Sequence, residues 1–193
     1  MSIYLIRHGQ TAGNAERRLQ TPDVPLNTDG LEQARLLGAR LSDAGIGHVL
    51  CSDLLRARQT AEAVVRATDA PIDFEPLLQE RNFGDHRGML YEDVGPDIFG
   101  PEYDPPGGES GDVFRERVAR AWLRIVEFSK QVEGRGHLAV VTHGLVYRLL
   151  FAHHLTPEAD ESELPRPGNT ALSIIDPAPP HKLTLVACTA HLD

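Results

Sequence analysis

Two cysteines, Cys51 and Cys188, are all that the 193 residues contain. Two thiols make neither a disulfide framework nor a zinc site of the CxxC type. Cys51 closes an apolar run and is expected to be a buried small hydrophobe. Positive charge is also scarce: 19 Lys and Arg face 28 Asp and Glu, for a formal net charge of -9. This balance argues against a general nucleic-acid binder, which needs a basic face. An anion site in such a chain must gather its cations in one place. Long apolar runs are missing, so no segment is expected to span a bilayer. No basic segment followed by a long apolar stretch opens the chain, so no secretory signal is expected. A cytoplasmic, reduced setting follows as the expectation. No internal repeat is visible. What is present is 41% hydrophobic residues, ample for a core, in a length that suits a single α/β domain over 1–193.

Ser2 to Ile6 reads as a strand, short and apolar. Asn14 to Gln20 is polar, a loop or a short helix, and TPDVPLNTDG is rich in turn residues. Thr28 is placed to N-cap a helix in which Leu31, Ala34, Leu37 and Leu41 recur at helical spacing. Gly45 and Gly47 are expected to end it. HVLCS is a second strand. Asp53 or Ser52 is expected to cap a helix carrying Leu54, Ala57, Ala61, Val64 and Val65 on one side. Ile72 to Phe74 is a short third strand. Residues 76–111 hold much Gly and Pro and little periodicity, so a loop-rich insertion is expected, of the kind that is usually functional. From about Asp112 to Val132 runs the clearest helix, with Phe114, Val118, Ala121, Trp122, Ile125, Phe128 and Val132 as its buried stripe. HLAVVT is a strand and GLVYRLLFAHHL a helix. TALSIID and KLTLVAC are strands joined by the Pro-rich DPAPPHK, expected as a hairpin or edge. Strands that alternate with helices predict an α/β fold with a mainly parallel sheet covered on both faces.

Such a sheet binds ligands outside the carboxyl ends of its strands. After the first strand come Arg7, His8, Gly9, Gln10, Thr11 and then Asn14. Ser52 and Arg56 follow the second, Glu80 beside Arg81 the third, and His143 with Gly144 the fourth. In a parallel sheet these all lie on one edge, and together they suit a phosphoryl group. Arginine offers a planar fork of donors that matches phosphate oxygens. Helix N-termini add amide donors, and Gly9 and Gly144 allow close backbone approach. A histidine among cations stays neutral and keeps a nucleophilic nitrogen. A second histidine can donate to the equatorial oxygens, and a glutamic acid can protonate the leaving oxygen. No metal is expected, because arginines already neutralise the charge. Taken singly, each residue has a plainer reading: Arg7 a surface cation, His8 a packed histidine, Glu80 a solvated acid, Arg56 a partner for Asp53, His143 a helix-start residue. Joint placement at strand ends is what favours chemistry. His153 and His154 point different ways on a helix. His48, His137, His181 and His191 read as surface or loop residues, and His86 as a loop residue near the mouth.

These segments resemble a known family. LIRHGQT with Asn14 resembles the opening motif of the histidine phosphatase superfamily, the cofactor-dependent phosphoglycerate mutase-like enzymes. DVPLNTDGLEQA, CSDLLRARQTA, LLQERNFGDHRG, PGGES and VVTHG resemble its later segments in order, across nearly the whole chain. The resemblance implies a three-layer α/β/α sandwich with a mostly parallel central sheet. It implies His8 as the nucleophile that carries the phosphoryl group, with Arg7, Arg56 and His143 on its oxygens. Glu80 would be the general acid, then the base for water. Asn14, the backbone at Gly144 and Thr11 would add phosphate donors, and Arg81 would meet the rest of the substrate. Two departures bear on substrate: Cys51 and Ser52 stand where many members have two serines, and His86 and Arg87 where many have an aromatic and an acid.

Members are mutases or phosphatases, which share the phosphohistidine step and differ in the acceptor. The short Gly88 to Asp112 stretch, and Gln10-Thr11 in the opening motif, resemble the phosphatase branch. The expectation is a metal-independent phosphomonoesterase without a cofactor. Its substrate would be a small phosphorylated metabolite, such as a phosphorylated sugar, a phosphoglycerate or the nucleotide-loop phosphate of cobalamin synthesis. No nucleic-acid or membrane partner is expected, and the state would be monomer or homodimer. A cofactor-dependent phosphoglycerate mutase is the alternative. A phospholigand-binding protein without turnover fits less well, because it could have lost His8 or Glu80 and this chain keeps both.

Overall fold

The computed structural model describes residues 1–157 and 166–193. Its elements in chain order are β1 (Ile3–Arg7), α1 (Ala12–Ala15), α2 (Thr28–Leu41), β2 (Ile46–Cys51), α3 (Leu55–Thr68), β3 (Ile72–Phe74), α4 (Tyr91–Val94), α5 (Gly111–Gln131), β4 (His137–Thr142), α6 (Gly144–His154), β5 (Thr156–Pro157), β6 (Leu172–Ile175) and β7 (Lys182–Cys188). Seven strands form one sheet in the order β3-β2-β4-β1-β6-β7-β5. The pairs among β3, β2, β4 and β1 are parallel, and β6 is antiparallel to both β1 and β7. The expected terminal hairpin therefore forms, but its first strand lies inside the sheet beside β1.

The central strands β1, β2 and β4 have no exposed face because helices cover both sides. Side chains alternate between two cores. Ile3, Leu5, Leu50, Leu138 and Val140 pack with α5 and α6 residues such as Phe114, Val118, Trp122, Ile125 and Tyr147. Ile6, Val49, Cys51, Ala139 and Val141 pack with Leu37 and Leu41 of α2 and Ala57, Ala61 and Val64 of α3. The whole predicted stripe of α5, Val132 included, is buried. Cys51 is fully buried, and burial pushes its thiol up.

Several local expectations are corrected. Asn27, not Thr28, caps α2, its side chain accepting from Gly30 N. That helix ends at Leu41, before either glycine, and Gly47 lies within β2. Leu54 is the N-cap residue of α3 and gives no side-chain bond. Arg56 does not pair with Asp53, which accepts instead from Gln79 Nε2 at 2.7 Å. His48 is not a surface residue: it is buried in β2, 2.7 Å from Asp73 and edge-on to Phe128. His137 opens β4 and accepts from Ser2 N, and His191 is held between Arg40 and Thr170. The loop-rich 76–111 stretch contains α4 and two short 3-10 turns, Pro76–Leu78 and Gly84–His86.

A candidate phosphoryl-transfer site

The carboxyl ends of β1, β2 and β4 are neighbours in the sheet, and there the predicted residues meet. A cavity of about 330 Å³ opens at this edge. Arg7, His8, Asn14, Arg56, Glu80, Arg81 and Gly144 line it, and so do Arg18, Arg148 and Arg166. An acidic chain thus concentrates six arginines around one cavity, in which Glu80 is the sole carboxylate among the described lining residues.

His8 leaves β1 with its N–H donated to Thr142 O at 3.0 Å, which pins the turn to β4. Its Nδ1 lies 2.7 Å from Gly9 O. A carbonyl can only accept, so Nδ1 carries the proton and Nε2 keeps the free lone pair. Burial holds the imidazole well below its usual value, with Arg56 and then Arg7 pushing the same way. The ring therefore stays neutral.

The turn after His8 depends on two glycines. A Cβ on Gly9 would sit 2.6 Å from Gly30 O, and one on Gly30 would sit 1.9 Å from Gln10 O. Only bare backbone lets the β1 turn lie on the first turn of α2. Gly9 N also donates to Thr60 Oγ1 at 3.0 Å, which ties the turn to α3.

Arg56 starts α3 and is buried, with Nη1 on Thr21 O at 3.1 Å and Nε without a partner among the described residues. Burial lowers its guanidinium to about 10. Arg7 is anchored through Nη1 to Pro167 O at 2.7 Å, and its Nε has no partner either. Two buried, unpartnered guanidinium N–H groups at one cavity are what an anionic oxygen would satisfy. Gly144 keeps the space open: a Cβ there would stand 3.4 Å from Arg7 Nε and 3.8 Å from Glu80 Oε2.

His143 is fully buried at the start of α6, its ring 5.0 Å from that of His8. Its Nε2 is 2.8 Å from Ser52 Oγ, and Ser52 Oγ accepts from Leu54 N at 3.4 Å. The Ser52 hydroxyl thereby fixes the orientation of the ring through Nε2. Its Nδ1 is buried without a partner among the described residues, and His143 itself is not among the residues that line the cavity. Burial, then Arg56 and His8, hold this imidazole neutral.

Glu80 accepts from Arg81 N and from Leu145 N, each at 3.1 Å. Its segment is fixed from α5. Arg117 donates to Leu77 O, Gln79 O and Glu80 O at 2.8, 2.7 and 3.2 Å, and is itself held by Glu109 at 2.7 Å.

Not every predicted residue points at the cavity. Thr11 does not line it: its hydroxyl N-caps α1, accepting from Asn14 N at 3.0 Å. Asn14 Oδ1 is engaged by Thr11 N and Asn169 Nδ2, which leaves Nδ2 of Asn14 to donate. Arg81 has a guanidinium spent on Glu109 O, Gly100 O and Tyr103 O, so it braces the 76–111 segment. His86 bonds Tyr103 Oη and is not among the lining residues. Sequence reasoning missed Arg148, Arg166, Arg18, Gln20 and Tyr91 as lining residues, and Arg117 as a brace. Arg148 had a signal: it stands four residues after Gly144, on the same helix face. Among the described residues, no group of three or more His, Cys, Asp or Glu could hold a metal ion. Nor is any helix among them long and apolar enough to cross a membrane.

Comparison with known proteins agrees with this geometry. The family model described as "Histidine phosphatase superfamily (branch 1)" matches residues 3–188. A curated relative from Serratia proteamaculans (strain 568), "Probable phosphoglycerate mutase GpmB", is 33% identical over 195 residues, covering 91% of this chain and 85% of its own. Among solved structures, Bacillus stearothermophilus YhfR is 28% identical with a TM-score of 0.84, covering 100% of this chain and 99% of its own. "Mycobacterial hydrolase 1" is 25% identical with a TM-score of 0.78, covering 95% of each chain.

Proposed function

The chain belongs to the histidine phosphatase superfamily, and from that premise we propose that it is a phosphomonoesterase working through a phosphohistidine on His8. The observation that carries the reading is the state of His8: a buried, neutral ring, Nδ1 tied to Gly9 O, at a cavity lined by arginines. Nε2 attacks phosphorus, the N–P bond forms and the P–O ester bond breaks. Glu80 gives its proton to the leaving oxygen. Arg7, Arg56 and His143 hold the equatorial oxygens, where charge is concentrated in the transition state. Water then attacks phosphorus, Glu80 takes its proton, and the P–N bond breaks to release phosphate and restore His8.

The test is phosphate release from a panel of phosphomonoesters, in the presence of EDTA, by the native protein and by His8→Ala. Release by the native protein alone supports the reading. Equal release by both removes His8 as nucleophile, and a metal requirement counts against the account. The name of the Serratia relative favours a second reading, a mutase that returns the phosphoryl group to a sugar acid. Efficient interconversion of 3- and 2-phosphoglycerate in the presence of the bisphosphate, with little phosphate release, would select it.

A further inference from the structure

A second cavity, of about 280 Å³, adjoins the first. The two share a partition of Arg81, Phe99, Leu145 and Arg148. Beyond it the side-chain walls are Pro101, Phe114, Leu149 and Ala152, which are apolar, with Arg115 and His153 as the polar exceptions. The sides of the partition differ in rigidity. Arg81 is fastened to three backbone carbonyls. Arg148 has a buried Nε with no partner among the described residues. Phe99 is 40% exposed and is held by edge-on contacts with Tyr91 and Phe83 alone among aromatic neighbours. The first cavity alone lies at the low end of the volume range of small-molecule sites, and the adjoining one extends the space available to a ligand.

We propose that the substrate is a phosphomonoester with an extended apolar body, whose phosphate occupies the arginine-lined cavity and whose far end lies in the annex past Phe99 and Leu145. The inference rests on the phosphatase reading above and names its substrate class. Apolar contact in the annex is remote from the reacting atoms, so it acts through kcat/KM.

The experiment is a series of n-alkyl phosphates, ethyl, butyl, hexyl and octyl, each below its micelle concentration. Their alcohols have similar acidity, so the chemical step is constant and the chain alone varies. For the native protein kcat/KM should rise about three- to fourfold per methylene once the chain enters the annex. Ala152→Phe fills the annex from an exposed position on α6. It should flatten the rise for hexyl and octyl phosphate and leave p-nitrophenyl phosphate turnover unchanged, which also reports that the variant is folded. A flat series in the native protein, with ethyl and p-nitrophenyl phosphate hydrolysed, overturns the annex and spares the phosphatase. If nothing is hydrolysed, the phosphatase reading falls, and titration calorimetry of the same alkyl phosphates decides the annex. Affinity that rises with chain length upholds it, and affinity independent of length overturns it.

Discussion

Keeping His8 and His143 neutral makes the fold sensitive to acid, and the size of the effect can be worked out. Both rings are almost wholly inaccessible, and burial with neighbouring cations holds both well below the ordinary histidine value. In the unfolded chain each titrates near about 6.5. As pH falls below that value the unfolded state takes up protons that the folded state refuses. Stability is therefore fully present above about pH 6.5 and is lost below it, until the folded rings themselves protonate. From about pH 7.5 to 5.5 the protonation free energy of one unfolded histidine changes by about RT ln(11/1.1), or about 1.4 kcal/mol. The two site histidines together should cost about 2.7 kcal/mol over that interval. The assay is urea unfolding of the native protein and of His8→Asn at both pH values, with the slope m checked for constancy. The variant should lose about 1.4 kcal/mol less than the native protein between the two conditions. Carboxylates and the other histidines are common to both proteins and cancel. An equal loss in the two would refute the claim that His8 is held neutral in the fold.

Other perturbations should separate roles within the site. Ser52→Ala removes the partner that orients the His143 ring, and kcat should fall about 10- to 100-fold with a smaller change in KM; an unchanged kcat would mean that Ser52 does not orient the ring. Arg56→Met should lower kcat/KM by about 10²- to 10³-fold. It also removes the largest charge effect on His8 after burial, so the acid limb of the kcat/KM profile should move to higher pH; a fixed limb would show that the limb does not belong to His8. Gly30→Ala places a methyl against Gln10 O, and should cost about 1–3 kcal/mol in chemical unfolding as well as activity. Native-like stability there would mean that the β1 turn has room the structure does not show.

The sheet edge was legible because parallel strands obey a local rule. Each short apolar run in β1, β2, β3 and β4 is followed by its polar residues, and covering both faces puts those ends together. Even the interior position of β6 agrees with its apolar LSII, though nothing in the residues says that it pairs with β1. Local competition was harder to read. Asn27 and Thr28 are adjacent, each a good cap, and Asn27 prevails because its side chain reaches Gly30 N. Thr11 and Arg81 stand in the right motifs, yet their polar groups are consumed by α1 and by the 76–111 segment. His48 looked polar and therefore external, but Asp73 on the neighbouring strand satisfies its Nε2 inside the fold. Arg117 sits in a helix whose apolar stripe was plain. Its part in fixing the Glu80 segment is a contact across about forty residues of chain, which periodicity does not report. Arg148 could have been found from its spacing to Gly144. Arg166 follows no strand or helix signal.

The central step is the passage of the phosphoryl group through Nε2 of His8. The measurement is rapid acid-free quenching of the native protein with a good phosphomonoester substrate, followed by peptide mapping by mass spectrometry. One phosphoryl group is expected on the peptide carrying Arg7, His8 and Gly9, lost in acid and stable in base, and absent from His8→Asn. Sustained phosphate release without that label, or a label on any other residue, would contradict it.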